Sequence, residues 1–208
     1  MYLHKMQHDG FEPKVIYDIG ACVLHWTNRA KEAWPNAKII PFEAMQAVEP
    51  LYIEKGFDKY AAGCLLSDRE EEVEFYENLE HPGGNSLYKE NNELSPLADQ
   101  LFPDDKKVKR KTKTLDSVVK ELGLPLPDMI KMDIQGAELA ALKGAKKTLK
   151  NCADLILELQ HMDYNFGAPK AQEVIDYLKT IGFEMVGDGM FCGSELGVDG
   201  DYHFRRVT

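Results

Sequence analysis

No run of this chain is apolar for long enough to read as a membrane span. The first residues, "MYLHKMQHDGFEPK", lack the apolar stretch of a secretory leader, so a cytoplasmic location is expected. Cysteine is scarce. Cys22, Cys64, Cys152 and Cys192 are scattered without a CxxC pair, which suits reduced thiols better than a disulfide frame or a zinc site. Positive charge is in deficit: the net charge is -10, which argues against a general binder of nucleic acid or anionic membrane. Repeats, low-complexity tracts and a domain linker are absent, and 208 residues suffice for one sizeable domain. Glycine is missing where a dinucleotide fold would need it. In "VIYDIGACVLHWTNRA" only Gly20 follows the strand-like opening, with Cys22 and Leu24 where small residues are expected.

What is present alternates. Residues 15–18 and 38–42 read as buried strands, and residues 25–34 and 44–55 as helices, the first stopped by Pro35 and the second by Gly56. A third strand is expected over 60–66. After a less regular middle, strands at 129–132, 154–157, 183–186 and 203–207 alternate with helices at 115–122, 137–149 and 169–180. This β-α-β order implies an α/β fold, a parallel sheet with helices on its faces. "EVEFY" (72–76) alternates like a half-exposed strand, and "KKVKRKTKT" (106–114) like a strand with one solvated basic face. Between them, residues 78–105 are rich in turn formers, which predicts either a lid or substrate loop or a surface insertion.

Acids stand at the ends of several of these strands. Asp18, Glu43, Asp133 and Glu158 each follow an apolar run, and Asp68 follows another. Ligands of open α/β sheets bind beyond the carboxyl ends of the strands, so the acids outline a site for hydroxyls, amines or a cation. Helix capping is the competing explanation, and for Glu158 the two stay open. A pyrophosphate needs several free backbone N–H groups, hence glycines, and "DIGACVL" offers one, so NAD and FAD are disfavoured. Gly20-Ala21 permits close backbone approach, and Glu43, 25 residues after Asp18, stands where an acid binds ribose hydroxyls. S-adenosylmethionine has the matching parts: a cationic sulfur, an amino-acid tail, a ribose and an adenine. A hydroxyl acceptor benefits from a nearby base, for which Asp133 and His161 are the candidates. His161 also reads as a loop histidine beside Met162 and Tyr164, and Glu138 as an acid complementing its helix dipole. Asp133, Glu158 and His161 are of ligand type for Mg²⁺, but no tight ligand spacing accompanies them and no metal is predicted.

In order along the chain, "VIYDIGA", "IIPFEA", "LLSDREEEVEFY", "NSLY", "KTLDSVV", "IKMDIQGAELAALKGA" and "LILELQ" resemble FkbM-type methyltransferases over residues 13–187. The resemblance implies a Rossmann-like class I methyltransferase fold, a seven-stranded mostly parallel sheet with helices on both faces and an antiparallel last strand. It implies methyl transfer from S-adenosyl-L-methionine, usually to a hydroxyl of a sugar, polyketide or other small molecule. Carried over by position, Asp18, Gly20 and Ala21 belong to the first cofactor motif, Glu43 holds the ribose, and Ser67 with Asp68 lies beside the adenine. Asp133 then stands near the methionine end and the acceptor. The sequence departs from the family's "GANxG" at Cys22 and Leu24. The expected partner is therefore a small-molecule or glycan hydroxyl, with no nucleic acid and no membrane. Two competing readings keep a non-catalytic relative of the fold and a nucleic-acid methyltransferase using the basic strand. The net charge, and the lack of the Asn/Asp-Pro-Pro-aromatic motif that marks base-amine enzymes, oppose the latter.

Overall fold

Short β-branched and aliphatic runs bounded by turn residues form the sheet. β1 (Val15–Ile19), β2 (Lys38–Glu43), β3 (Ala61–Ala62), β7 (Met129–Met132) and β8 (Asp154–Gln160) lie parallel in the order β3-β2-β1-β7-β8. β11 (Asp199–Arg206) runs antiparallel along β8, and its outer edge is divided between β10 (Cys192–Gly193) and β9 (Phe183–Met185). The computed structural model describes residues 2–187, 189–190, 192–193 and 197–207. Seven strands thus follow one another across the sheet, with β9 completing the divided edge.

The two faces are buried under different helices. Tyr17, Ile40, Phe42, Ile130, Met132, Leu155 and Leu157 pack under α5 (Leu115–Leu122), α6 (Glu138–Lys143) and α7 (Ala171–Thr180). Ile16, Ile39, Met129 and Ile156 pack under α1 (Tyr2–His8) and α2 (His25–Ala33). Because side chains repeat on one face every two residues, the α1/α2 face has a definite continuation. One step beyond Ile16 it carries Asp18. Beyond Met129 it carries Lys131 and then Asp133, and beyond Ile156 it carries Glu158. The register pairs Asp18 with Lys131 and Glu158 with Asp201, so a polar row crosses the sheet where the apolar layer stops.

A second, three-stranded sheet stands beside the first. β6 (Val108–Lys113) pairs parallel with β4 (Leu65–Leu66) and antiparallel with β5 (Glu72–Phe75). Its basic residues meet the acids of β5 and its surroundings: Lys107 pairs with Glu74, Lys109 with Glu72, Arg110 with Glu77 and Lys113 with Glu121. The expected strand over 60–66 is broken at Gly63 (φ 72), and its halves belong to different sheets. Gly63 adopts the left-handed backbone that breaks the strand, with the Gln46 side chain packed against it, a turn that the apolar pattern does not reveal. The expected helix over 44–55 is a 3-10 turn (Gln46–Val48) followed by α3 (Glu49–Glu54), and the expected helix over 137–149 ends at Lys143. α1 was not foreseen; the hydrogen bond from Trp26 Nε1 to the Tyr2 hydroxyl ties it to α2.

The segment between β5 and β6 folds down onto the sheet's carboxyl edge. It includes a 3-10 turn (Pro82–Gly84) and α4 (Ala98–Leu101). Ser86 Oγ donates to the Gln135 carbonyl at 2.7 Å, and Asn91 Nδ2 donates to the Asp163 carbonyl at 2.9 Å. Among the described residues, no helix is long and apolar enough to cross a membrane.

Candidate active site

A cleft with about 710 Å³ of empty space, its open mouth included, lies at the carboxyl ends of β1, β2 and β7. Gly20, Cys22, Glu43, Asp133 and Gln135 supply its polar wall, and Phe42, Cys64, Leu65, Leu66 and Phe75 its apolar wall. Pro82, Gly83, Asn85 and Leu87 reach it from the β5–β6 segment.

Gly20 closes the turn after β1 at φ 80, and a Cβ there would overlap the Asp133 carbonyl oxygen at 1.8 Å. Four amide hydrogens of this turn and the loop after it are already engaged, three of them by the end of β2. Gly20 N and Ala21 N both donate to the Phe42 carbonyl at 3.0 Å, Cys22 N to Glu43 Oε2 at 2.9 Å and Leu24 N to the Ala21 carbonyl at 2.7 Å. These groups leave no cradle for a pyrophosphate. Cys22 (φ 45) and Leu24 (φ 71) both adopt left-handed backbone, the conformation that asparagine and glycine favour. The departure from "GANxG" therefore falls at two positions where the backbone of this chain is left-handed. Leu24 also fills a cluster with Ala21, Met45, Val48 and Tyr52, an apolar contact that holds the loop down.

Glu43 is nearly buried and faces the cleft from the end of β2. Burial raises its pKa, while hydrogen bonds from the Met45 and Cys22 amides favour its charged form. Asp18 lies deeper and does not line the cleft. Thr27 donates to one carboxyl oxygen, and Oδ1 has no hydrogen-bond partner among the described residues. Its burial raises its pKa against the opposing pull of Lys131 and Thr27. Ala21 is buried in the apolar cluster behind the loop. Ser67 is buried and Asp68 exposed, and neither lines the cleft, although Leu65 and Leu66 just before them form its wall.

Asp133 ends β7 with its carboxylate held from two sides. Lys131 Nζ lies 3.0 Å from Oδ2, and Gln135 Nε2 donates to Oδ1 at 2.9 Å. Burial opposes its charge, but Lys131, Glu158 and Gln135 outweigh that and hold its pKa below the usual value. Glu158 accepts from the same Gln135 nitrogen at 3.1 Å, and burial with the neighbouring Asp133 charge pushes its pKa well up. Glu138 caps the turn after Asp133, accepting from Ile134 N at 2.8 Å, and burial pushes its pKa up to about 7. His161 is not brought to the cleft. It sits past β8 with its ring 5.7 Å from that of Tyr202.

The structure therefore assembles Gly20, Glu43 and Asp133 from the sequence-based set. It sets Asp18 and Ala21 behind the site, Ser67 and Asp68 beside it and His161 away from it. Lys131 and Gln135 were missed. A lysine inside the buried strand "MIKM" was the available signal, because a buried charge requires a partner.

Comparisons with known proteins identify the family and the fold. The Methyltransferase FkbM domain matches residues 17–185. The 2-O-methyltransferase NoeI of Sinorhizobium fredii is 28% identical over 93% of this chain and 79% of its own. The AMB antimetabolite synthetase AmbE of Pseudomonas aeruginosa is 25% identical over 82% of this chain, which spans only 10% of that protein. The crystal structure of the methyltransferase FkbM from Methylobacillus flagellatus superposes with a TM-score of 0.59 at 17% identity, covering 93% of this chain and 43% of the other. The N-methyltransferase NodS of Bradyrhizobium japonicum, in complex with S-adenosylhomocysteine, shares the fold with a TM-score of 0.52 at 12% identity, covering 100% and 85% of the two chains. With the family's domain matched over residues 17–185 of its 208, the chain belongs to the FkbM methyltransferase family.

Proposed function

We propose that the protein binds S-adenosylmethionine in the cleft between β1, β2 and β7 and directs methyl transfer to a hydroxyl of a sugar or other small molecule. The observation that carries this reading is the composition of the cleft. One acid, Glu43, stands at the end of the second strand, an apolar wall lies beside it, a second acid stands opposite, and the loop amides are engaged internally. These features fit an adenosyl ligand that has ribose hydroxyls and a positive charge but no phosphate. When bound, the cofactor supplies a methyl carbon activated by its sulfonium. Glu43 then accepts hydrogen bonds from the ribose, and the wall of Leu65, Leu66 and Phe75 receives the adenine. Asp133 takes the proton that the acceptor hydroxyl releases, and positioning supplies the rest of the rate enhancement. The segment with Pro82, Asn85 and Leu87 acts as a lid that excludes water. The 2-O-methyltransferase NoeI supports a hydroxyl acceptor.

Calorimetric titration with S-adenosylmethionine and S-adenosylhomocysteine tests the cofactor assignment. Micromolar binding that is lost in Glu43→Ala is expected, and a folded protein that binds neither ligand overturns the reading. Asp133→Ala tests the base in an acceptor screen; near-normal turnover removes Asp133 from the mechanism. His161→Ala distinguishes the other sequence candidate, with retained turnover expected from its distance to the cleft.

A further inference from the structure

The register carries a row of acids across three neighbouring strands. Met132 pairs with Leu157, which places Asp133 opposite Glu158, and Glu158 pairs with Asp201. Asp199 and Asp201 lie on the same face of β11, Asp18 enters the row from β1 beside Lys131, and Glu43 and Glu138 approach Asp133 from β2 and α6. Against these acids stands one buried ammonium, Lys131, with a side chain 6% exposed. It contacts Asp133 and no other carboxylate in the row at ion-pair distance. Several carboxylates cannot all stay ionised around one buried cation, since each further negative charge lacks a partner.

The hydrogen bonds say which acid yields. Asp133 has Lys131 on one oxygen and the Gln135 amide on the other. Glu158 has no cation at ion-pair distance among the described residues, and it shares that one amide nitrogen with Asp133, which the register places opposite it. Two carboxyl groups drawn to one amide in a buried site, with a single ammonium that pairs with only one of them, are stable when the other carries a proton. We propose that Glu158 is a positioning residue. As a neutral carboxylic acid it donates to Asp133 and, with Lys131 and Gln135, keeps Asp133 as the ionised acid of the cleft. Its proton stays on Glu158 while Asp133 exchanges one with the acceptor. Gln135 (φ 52) is the clamp: its left-handed backbone turns the amide toward both acids.

The catalytic meaning of this pair rests on Asp133 as the base, but its protonation state does not, so the protein alone can be tested first. Carboxyl-labelled glutamate is followed by ¹³C NMR through a pH titration of wild type and Glu158→Gln. One glutamic acid signal that stays protonated through neutral pH, and is missing from Glu158→Gln, is expected; the Glu138→Gln spectrum separates the Glu138 signal. A Glu158 that titrates with the exposed glutamates overturns the proposal, whatever the protein's activity. In turnover, Glu158→Gln keeps a donor toward Asp133 and should retain wild-type kcat and its acidic limb. Glu158→Leu removes the donor and should lose about tenfold or more in kcat, with the acidic limb displaced. Equal loss in both variants also overturns it. Absent turnover in wild type, with the NMR result as expected, would remove the methyltransferase reading and leave the pair.

Discussion

The carbonyl oxygen of Asp133 occupies the space that a side chain on Gly20 would need, 1.8 Å from an ideal Cβ. The end of β1 and the end of β7 are thus locked together at the cleft. Gly20→Ala has to move one strand end and also adopt φ 80 with a side chain. It should destabilise the protein by about 3 kcal/mol or more, measured by urea unfolding, and weaken S-adenosylhomocysteine binding in the folded fraction.

The two unusual residues of the first loop should respond in opposite directions. Cys22 is half-buried at φ 45, and asparagine tolerates that backbone better, so Cys22→Asn should be neutral or stabilising by up to about 1 kcal/mol. Leu24→Gly relieves the same strain but empties a fully buried site among Met45, Val48 and Tyr52. The lost packing exceeds the strain, and a net loss of about 2 kcal/mol is expected. Chemical denaturation of both variants checks the sign of each.

Glu138 gives the stability a specific pH dependence. Its pKa is raised to about 7 in the folded protein from an ordinary value of 4.5, so the folded state binds its proton more tightly. The stability this contributes is fully present below pH 4.5 and is lost as pH rises through 7. Glu138→Gln cannot ionise. Between pH 5 and pH 8 it should gain on wild type by on the order of 3 kcal/mol, read from unfolding midpoints at each pH.

Ser86 pins the segment over the cleft through the Gln135 carbonyl. Ser86→Ala removes that bond, which contributes about 1 kcal/mol. Faster amide exchange over residues 77–97 is expected, with the acceptor KM raised several-fold and S-adenosylhomocysteine affinity changed less. An unchanged exchange pattern would show that other contacts hold the segment.

Much of this architecture was legible because local rules and tertiary structure agreed. The apolar runs ending in Asp18, Glu43, Asp133 and Glu158 are strands, and Gly123 (φ 58) ends its helix as read. The site was less legible because alternation along a strand marks two faces without saying which one a ligand meets. Asp18 and Asp133 share the α1/α2 face, yet only Asp133 reaches the cleft, because Asp18 lies within its strand and Asp133 just past the end of its own. The apolar wall was hidden for a related reason. Leu65, Leu66 and Phe75 have the pattern of core residues, and the break at Gly63 is what separates the strand halves and leaves Leu65 and Leu66 on the cleft wall.

The first loop also bears on selectivity inside a cell. ATP and NAD carry the same adenosine and are abundant competitors for any pocket shaped to it. A loop that directs Gly20, Ala21 and Cys22 N–H inward, beside an acid row, withholds those three donors from a triphosphate or pyrophosphate and meets it with like charge. Under the proposed function, discrimination against those metabolites would come from the backbone of the turn, which a side-chain exchange at Cys22 or Leu24 leaves in place.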